Sequence, residues 1–191
     1  IGDDFKFGSD RGGDHQSLQS NGQRWGFTVE DSPTVTVDNQ RVSSTRIRAL
    51  LDASDFAGAA ELLGRPFVIA GRVIHGQKLG RKLGYATANI NLQRYRAPLS
   101  GVFAVTVEVD GREYIGSANV GVRPTVGDLD KPILEVHLLD FNRELYGRRL
   151  AVEFVHKVRE EQKFDSFEDL VAQIGRDVAT TRAFFDARKS T

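Results

Sequence analysis

The chain has 191 residues, of which 40% are hydrophobic, and its 26 Lys and Arg balance its 26 Asp and Glu, so the formal net charge is zero. This length and composition can bury a sizeable core in one or two domains, and the neutral balance provides no overall attraction to nucleic acid or anionic membranes. The lack of cysteine excludes disulfides, thiolate catalysis and cysteine-based zinc sites.

No apolar run approaches the roughly 20 residues that a membrane-spanning helix needs, and no signal peptide is recognisable before Ile1. We therefore expect a cytoplasmic protein without a nucleic-acid or membrane partner. The chain contains no methionine and starts with isoleucine, so we also expect that an upstream part of the translation product is missing.

The first 40 residues are rich in Gly, Asp, Ser and Asn, and their few apolar positions cannot bury a core alone. Hydroxyl residues at 43–45 precede good helix formers at 46–51, which predicts a capped helix. Residues 57–63 predict a second short helix, ended by Gly64 and Pro66. We place the domain boundary there, between residues 1–64 and residues 65–191.

From residue 67 onward the apolar positions alternate with a period of two, which indicates β-strands. The clearest strand is 103–109, with Thr106 and Glu108 on its polar face. The dipeptide Asp110-Gly111 is typical of a type I′ hairpin turn, so the strand at 113–119 should pair antiparallel with it. Further strands are predicted at 133–141 and 150–158. Short strands joined by tight turns favour a small closed barrel or a sandwich.

The end of the chain changes to a helical period. Apolar residues recur at steps of three and four from Phe167 to Phe185, and Asp165 or Ser166 can cap the helix that they predict. We expect this amphipathic helix to pack on the strands.

The segment that follows the first predicted strand, which begins at residue 67, contains several glycines and basic residues. Glycine lets backbone N–H groups approach phosphate oxygens closely, and basic side chains add positive charge. The spacing matches neither the Walker A pattern nor the dinucleotide fingerprint, so ordinary turn residues are the alternative interpretation. The glycines are Gly71, Gly76, Gly80 and Gly84, and the basic residues are Lys78, Arg81 and Lys82.

Thr87 and Asn89 are two residues apart, so an extended backbone places both on one side. Together they offer a hydroxyl and an amide oxygen to a hard cation such as Mg²⁺. The alternative is a polar pair on an edge strand.

Glu135 shares a strand face with His137, while the apolar residues between and beside them occupy the other face. A glutamate on the surface of a half-buried strand and a structural histidine are the alternatives to a catalytic pair. The remaining histidines, at positions 15, 75 and 156, show no metal-ligand spacing.

Residues 64–185 resemble the riboflavin kinase domain of the bacterial bifunctional FAD synthetases. Five blocks carry the resemblance in the right order: GRKLGYATAN at 80–89, PLSGVF at 98–103, NVGVRPT at 119–125, EVH at 135–137 with LYG at 145–147, and VREEQKF at 158–164. Ala86 departs from the family, which usually has proline before its Thr-Ala-Asn.

The resemblance implies a mainly β fold: a small closed antiparallel, Greek-key-like barrel with a C-terminal amphipathic helix. It implies that Thr87 and Asn89 organise Mg²⁺ and the ATP phosphates, with the loop of Gly76, Gly80, Arg81 and Gly84 closing over them.

On the acceptor side, the resemblance implies that Glu135 is the general base for the riboflavin 5′-hydroxyl as this hydroxyl attacks the γ-phosphate. Arg159, Glu160 and Phe164 resemble the flavin-side loop of the family. Residues 119–125 resemble a mobile flap near the substrates.

Residues 2–8 and 42–48 resemble late motifs of the FMN adenylyltransferase domain of the same enzymes, which has an α/β nucleotidyltransferase fold. Ser43, Ser44, Thr45 and Arg48 would then belong to the element that contacts ATP phosphates at a helix N-terminus. The first half of that domain, with its His-x-Gly-His motif, is absent from this chain. We therefore expect no adenylyl transfer from these residues alone.

The leading hypothesis is an ATP- and Mg²⁺-dependent riboflavin kinase that produces FMN. The alternative is a non-catalytic flavin- or nucleotide-binding barrel, in which Ala86 and the truncated partner domain mark lost activity. Small barrels also bind oligonucleotides, but the neutral composition and the lack of a clustered basic and aromatic face argue against that function.

Overall fold

The computed structural model describes residues 2, 5–30, 32–76, 87–92, 97–123 and 131–189 of the chain. The chain divides into two compact units, Ile1–Arg46 and Ile47–Thr191. The boundary that we placed after residue 64 therefore falls inside the second unit, because the helical residues before it share a core with the strands that follow. As a boundary between two ancestral domains, position 64 stays a prediction.

In its described part, the first unit consists of short elements. Strand β1 (Lys6–Phe7) pairs with β2 (Gly13–Asp14), a 3-10 turn covers Ser9–Arg11, and β3 (Thr36–Val37) pairs with β4 (Gln40–Arg41). Helix α1 (His15–Trp25) is capped by the Asp14 carboxylate, which accepts a hydrogen bond from Ser17 N at 2.9 Å. The sequence does not predict α1 because its residues are mostly polar.

The second unit is built around a closed barrel of six antiparallel strands. Around the barrel the order is β10-β5-β6-β9-β8-β7, and β7 pairs with β10 to complete the circle. The predicted closed, Greek-key-like barrel is confirmed. The strands are β5 (Val68–Ile74), β6 (Thr87–Asn91), β7 (Gly101–Val109), β8 (Arg112–Arg123), β9 (Lys131–Leu138) and β10 (Arg149–Arg159).

Strand β6 pairs with β5 on one side and with β9 on the other. The interpretation of Thr87 and Asn89 as a polar pair on an edge strand is therefore wrong. Because the barrel is closed, β6 lies between two neighbouring strands, which use both of its hydrogen-bonding edges.

The hairpin between β7 and β8 confirms the predicted turn. Asp110 has φ 54° and Gly111 has φ 73°, the two positive values that a type I′ turn requires. The turn fixes the register of the two strands, from Val109 opposite Arg112 to Gly101 opposite Val120.

In the described part of the chain, three helices belong to the second unit or lead into it: α2 (Ser44–Asp52), α3 (Phe56–Leu63) and α4 (Phe167–Lys189). Helix α3 begins at an Asp55 cap, whose carboxylate accepts from Gly58 N at 2.9 Å, and ends at Gly64 with φ 67°. Its Phe56 ring lies 5.9 Å from the ring of Phe103 and 6.2 Å from that of Phe154. This aromatic cluster joins α3 to the barrel core.

Helix α4 contacts β7, β8 and β10 and is capped by Ser166, whose hydroxyl accepts from Asp169 N at 3.1 Å. On β7, Thr106 is buried although the alternation predicts a polar outer face, whereas Glu108 on the same face is exposed. Phe167 is 47% exposed, so its predicted place on the buried face is wrong. The described residues include no helix that is long and apolar enough to cross a membrane.

The packing of α3 on the barrel predicts that Phe56→Ala lowers the free energy of unfolding by about 3–5 kcal/mol, because a buried aromatic ring is replaced by a cavity. Urea unfolding followed by far-UV circular dichroism measures this loss. Phe167→Ala is the matched control and should cost less than about 0.5 kcal/mol, since the ring is half exposed. Equal losses for the two variants would contradict the packing.

Candidate active site

Three neighbouring strands bring six polar side chains to one outer face of the barrel. Asn89 on β6 and Asn119 on β8 both lie opposite Glu135 on β9. Thr87 and Ser117 in the same way flank His137. Side chains directly opposite each other on antiparallel strands are about 5 Å apart at Cβ. We call these six residues the polar array: Thr87, Asn89, Ser117, Asn119, Glu135 and His137.

The polar array exists because each strand buries its alternate residues in the barrel. Ala88, Leu134, Val136 and Ala118 face the interior and are almost completely buried, whereas the array residues between them are partly exposed. The predicted shared face of Glu135 and His137 is confirmed, as is that of Thr87 and Asn89.

A cleft of about 290 Å³, which we call cleft A, lies on one side of the array. Gly76, Thr87, Asn89 and His137 line it, and residues 141–146 form its opposite wall. This wall contributes two aromatic rings, those of Phe141 and Tyr146, and the carboxylate of Glu144. Further apolar lining comes from Val73, Ala88, Val136, Leu138 and Leu145.

A second cleft of about 280 Å³, cleft B, lies on the other side, beneath α4. Its floor is formed by the array residues Thr87, Ser117, Asn119, Glu135 and His137. Its walls combine apolar side chains with polar groups from the segment after β10 and from α4. The apolar residues are Val102, Phe164, Leu170, Ile174 and Val178, and the polar residues are Arg159, Glu161, Gln162 and Asp177.

Thr87 and His137 line both clefts, so the two clefts meet at these side chains. Asn89 lines cleft A but not cleft B, and Glu135 lines cleft B but not cleft A. A molecule in each cleft would therefore lie beside Thr87, with the Glu135 carboxylate in cleft B and the Asn89 amide in cleft A.

Gly76 packs directly against Asn89. A Cβ atom at position 76 would collide with the side-chain amide of Asn89. The absence of a side chain at Gly76 therefore allows the Asn89 amide to reach cleft A.

The donors in cleft A suit a hard cation. Thr87 provides a hydroxyl oxygen and Asn89 an amide oxygen, and Mg²⁺ prefers such ligands while keeping several waters or phosphate oxygens. Among the described residues, no cluster of three or more His, Asp or Glu could hold a metal.

An ion pair fixes the wall of cleft B. Arg159 at the end of β10 donates from Nε and Nη2 to the two carboxylate oxygens of Asp177 on α4, at 2.9 and 2.8 Å. The side chains are 19% and 6% exposed, and Gln173 Nε2 also donates to Asp177 at 2.8 Å. The guanidinium lies 5.8 Å from the ring centroid of Phe164. Arg159 thus links β10 both to α4 and to the segment between them, which contains Phe164.

The structure brings six of the sequence-predicted site residues to the two clefts: Gly76, Thr87, Asn89, Glu135, Arg159 and Phe164. Arg159 and Phe164 line cleft B, but Glu160 does not. The Glu160 side chain is 78% exposed and accepts a hydrogen bond from Lys157 Nζ at 2.6 Å. Glu161 and Gln162 line the cleft in its place. Gly80, Arg81 and Gly84, with Lys78, Lys82 and Ala86, lie outside the described residues, as do positions 124 and 125 of the predicted flap.

The sequence did not indicate Ser117 as a site residue, placed Asn119 only in the flap at 119–125, and left a structural role open for His137. The signal that could have found Ser117 and Asn119 is the alternation of small polar and apolar residues after the Asp110 turn. Their alignment with Glu135 depends on the register between β8 and β9, which a sequence pattern does not give.

The predicted adenylyltransferase remnant lies at the start of α2. The Ser43 hydroxyl accepts a hydrogen bond from Arg46 N at 3.2 Å and caps the helix, while Ser44, Thr45 and Arg48 lie within it. A phosphate-binding role for these four residues stays a prediction.

The chain matches known families along most of its length. A family model described as riboflavin kinase matches residues 63–185, and one described as FAD synthetase matches residues 1–46. Relatives named bifunctional riboflavin kinase/FMN adenylyltransferase include the Pseudomonas fluorescens protein, at 57% identity over 183 residues, and the Haemophilus influenzae protein, at 52% over 188 residues. The alignments cover 96% and 98% of this chain but 59% and 61% of those relatives.

The solved structure of a protein described as a macrolide-efflux protein, from Streptococcus pneumoniae, is also similar to this chain. The sequence identity is 36% and the TM-score is 0.68, with 95% of this chain and 58% of that chain covered. Macrolide efflux is a description of the Streptococcus protein alone, and the similarity supports the fold described above.

The Arg159–Asp177 pair predicts that Asp177→Asn lowers the free energy of unfolding by about 3–5 kcal/mol, because the guanidinium is left buried without its carboxylate. Thermal or urea unfolding measures the loss. Replacing both partners, as Arg159→Met with Asp177→Leu, should restore much of it, since no unpaired charge remains.

The matched control is Asp140→Asn. Asp140 also receives two hydrogen bonds from one arginine, from Nη1 and Nη2 of Arg182 at 2.8 Å, but its side chain is 74% exposed. Water can solvate both groups once the pair is broken, so this variant should unfold nearly as the wild type does. A cost for Asp177→Asn no larger than that for Asp140→Asn would contradict the role of burial.

Proposed function

Because the chain belongs to the riboflavin kinase family, we propose that it transfers the γ-phosphoryl group of ATP to the 5′-hydroxyl of riboflavin, giving FMN and ADP. The observation that carries the proposal is the meeting of clefts A and B at Thr87 and His137, with Glu135 on one side only. Phosphoryl transfer needs donor and acceptor to approach in line from opposite sides, and two clefts with a shared junction support that arrangement.

We assign the nucleotide to cleft A. Gly76 leaves room beside Asn89, and the Phe141 and Tyr146 rings offer apolar surface to a purine base. The phosphates would then extend toward Thr87 and Asn89, since these residues lie where cleft A reaches the junction. We propose that Mg²⁺, held by Thr87, Asn89 and phosphate oxygens, offsets negative charge on the transferring group when it is bound.

We assign riboflavin to cleft B. Its apolar walls, Phe164 included, suit the planar isoalloxazine ring, and the polar floor formed by Ser117 and Asn119 suits the hydroxyls of the ribityl chain. The 5′-hydroxyl would lie at the junction beside Glu135. Arg159 forms an ion pair with Asp177, so its role in this proposal is to hold the wall of the cleft.

Glu135 provides the base. A carboxylate that accepts a hydrogen bond from the 5′-hydroxyl orients the oxygen toward the γ-phosphorus and takes its proton as the new P–O bond forms. The bond between the γ-phosphorus and the β,γ-bridging oxygen breaks at the same time, and ADP leaves through cleft A. Asn89 and Asn119 flank Glu135, so their amides can hold the carboxylate in position.

The relatives' name includes an FMN adenylyltransferase activity, and this chain spans 59% and 61% of the two relatives compared above. We propose adenylyl transfer only for a longer chain that contains the rest of that domain. A cytoplasmic location and the lack of nucleic-acid or membrane partners also stay predictions.

Incubation of the chain with riboflavin, ATP and Mg²⁺, followed by chromatographic separation of the flavins, tests the proposed function. We expect FMN and ADP in equal amounts, loss of the product when EDTA removes the divalent ion, and recovery when Mg²⁺ is restored in excess. A folded chain that binds riboflavin but forms no FMN would instead support a non-catalytic flavin-binding barrel.

The assignment of the base predicts that Glu135→Gln lowers kcat by roughly 10²–10⁴-fold, because an amide cannot accept the hydroxyl proton. Riboflavin affinity, measured by quenching of flavin fluorescence, should stay close to the wild-type value. The control is Glu113→Gln, since Glu113 is exposed on β8 and lines neither cleft. Unchanged turnover of the Glu135 variant would remove Glu135 from this role.

A further inference from the structure

One wall of cleft A is held from outside the cleft by Asp110. This residue lies in the turn between β7 and β8 and does not line the cleft. Its carboxylate accepts hydrogen bonds from Arg143 Nη1 at 3.0 Å and from Arg148 Nη1 at 3.1 Å, and a further one from Arg148 Nη2. Both arginines belong to residues 139–148, the segment that joins β9 to β10 and supplies the cleft wall.

Arg143 connects this carboxylate to the cleft. Its Nη2 donates to the Tyr114 hydroxyl at 3.4 Å, and its guanidinium lies 5.0 Å from the centroid of the Phe141 ring. Tyr114 packs edge-on against the same ring at 5.0 Å. Asp110, Arg143, Tyr114 and Phe141 therefore form one contact network, and two of its members, Arg143 and Phe141, line cleft A.

The wall segment, residues 139–148, is held by backbone hydrogen bonds at its C-terminal end and by side-chain contacts in its middle. At its C-terminal end the backbone is bonded to β5: Val73 N donates to Arg148 O at 2.8 Å, and Gly147 N donates to Val73 O at 3.0 Å. Residues 139–148 contain only turns and irregular backbone. Since no sheet ladder fixes the middle of the segment, the positions of Phe141 and Arg143 depend strongly on side-chain contacts such as those with Asp110 and Tyr114.

A neutral side chain could not replace the Asp110 carboxylate, because the carboxylate carries the negative charge that Arg143 and Arg148 bind. The hydrogen bonds and charge of Arg148, with a smaller effect from Arg143, hold the pKa of Asp110 below its usual value of 3.8. Without the Asp110 carboxylate, the guanidinium groups of Arg143 and Arg148 would have no anion between them. Their repulsion would favour a different position for Arg143.

We propose that Asp110 is a positioning residue for the nucleotide: through Arg143 and Phe141 it sets the shape of the wall of cleft A. The inference rests on the proposed function in one respect, the assignment of the nucleotide to cleft A. Cleft B contains no residue of this network, so loss of the carboxylate should weaken nucleotide binding and leave riboflavin binding unchanged.

The test is Asp110→Asn in the whole chain, with ADP affinity measured by calorimetry and KM measured for both substrates. We expect the Kd of ADP and the KM of ATP to rise roughly three- to tenfold, the scale of effect of a partly exposed charge network, while the KM of riboflavin and kcat stay near wild type. Asp110→Glu, which keeps the charge, should recover part of the ADP affinity.

Two further variants sharpen the test. Arg143→Gln should weaken ADP binding, and the effect of Asp110→Asn should shrink in that background, because both changes act through one contact. Asp186→Asn is the matched control: it removes an exposed carboxylate bonded to Lys189 at 3.2 Å on α4 and should leave all four parameters unchanged.

Unchanged ADP affinity in a folded Asp110→Asn variant overturns the inference, and so does an equal loss for both substrates together with a lowered Tm, which would indicate a general structural role. The proposed function fails separately, when the wild-type chain forms no FMN. A selective loss of ADP affinity would support the inference even in that case, and a wild-type chain that binds no ADP would overturn it.

Discussion

The pairing register of β6, β9 and β8 decides which side chains share the outer face of the barrel, and the candidate site depends on it. Asn89, Glu135 and Asn119 form one row across the three strands, and Thr87, His137 and Ser117 form the next. A slip of one residue in either pairing would turn a whole strand's polar set into the apolar interior. The same alternation that fills the core with Leu134, Val136 and Ala118 therefore holds Glu135, Thr87 and Asn89 on the outer face.

The walls of the two clefts are held in different ways, although each uses an Asp–Arg contact. In cleft B the Arg159–Asp177 pair is largely shielded from water and ties the end of β10 to α4. In cleft A the Asp110 network is solvent-accessible and acts on an irregular segment. Burial makes the first contact costly to break, because loss of one partner leaves an unsolvated charge. The second contributes mainly to shape, since exposed pairs add little to the free energy of folding.

Much of the fold could be predicted from the sequence because its signals are local. The alternation of apolar residues, the Asp110-Gly111 turn and the capped helices at 56–63 and 167–189 each depend on a few neighbouring residues. The burial of Thr106 could not be predicted, because burial on the outer face of a strand depends on tertiary packing and not on the neighbouring residues. The site divides in the same way. The alternation along β6 places Thr87 and Asn89 on one face. The position of Ser117 and Asn119 on the same face of the barrel follows from the long-range register between β8 and β9. Glu160 was assigned to the site from its motif, but the next two residues of that motif, Glu161 and Gln162, line the cleft instead.

The central claim is that nucleotide and flavin occupy separate clefts that meet at Thr87, with Glu135 on the flavin side. A crystal structure of the chain with Mg²⁺, ADP and FMN tests it most directly. We expect ADP in cleft A, the isoalloxazine ring in cleft B, and a Glu135 carboxylate oxygen about 2.6–3.2 Å from the flavin 5′-oxygen. Both ligands in one cleft, or a Glu135 side chain separated from the 5′-oxygen by bulk water, would contradict it.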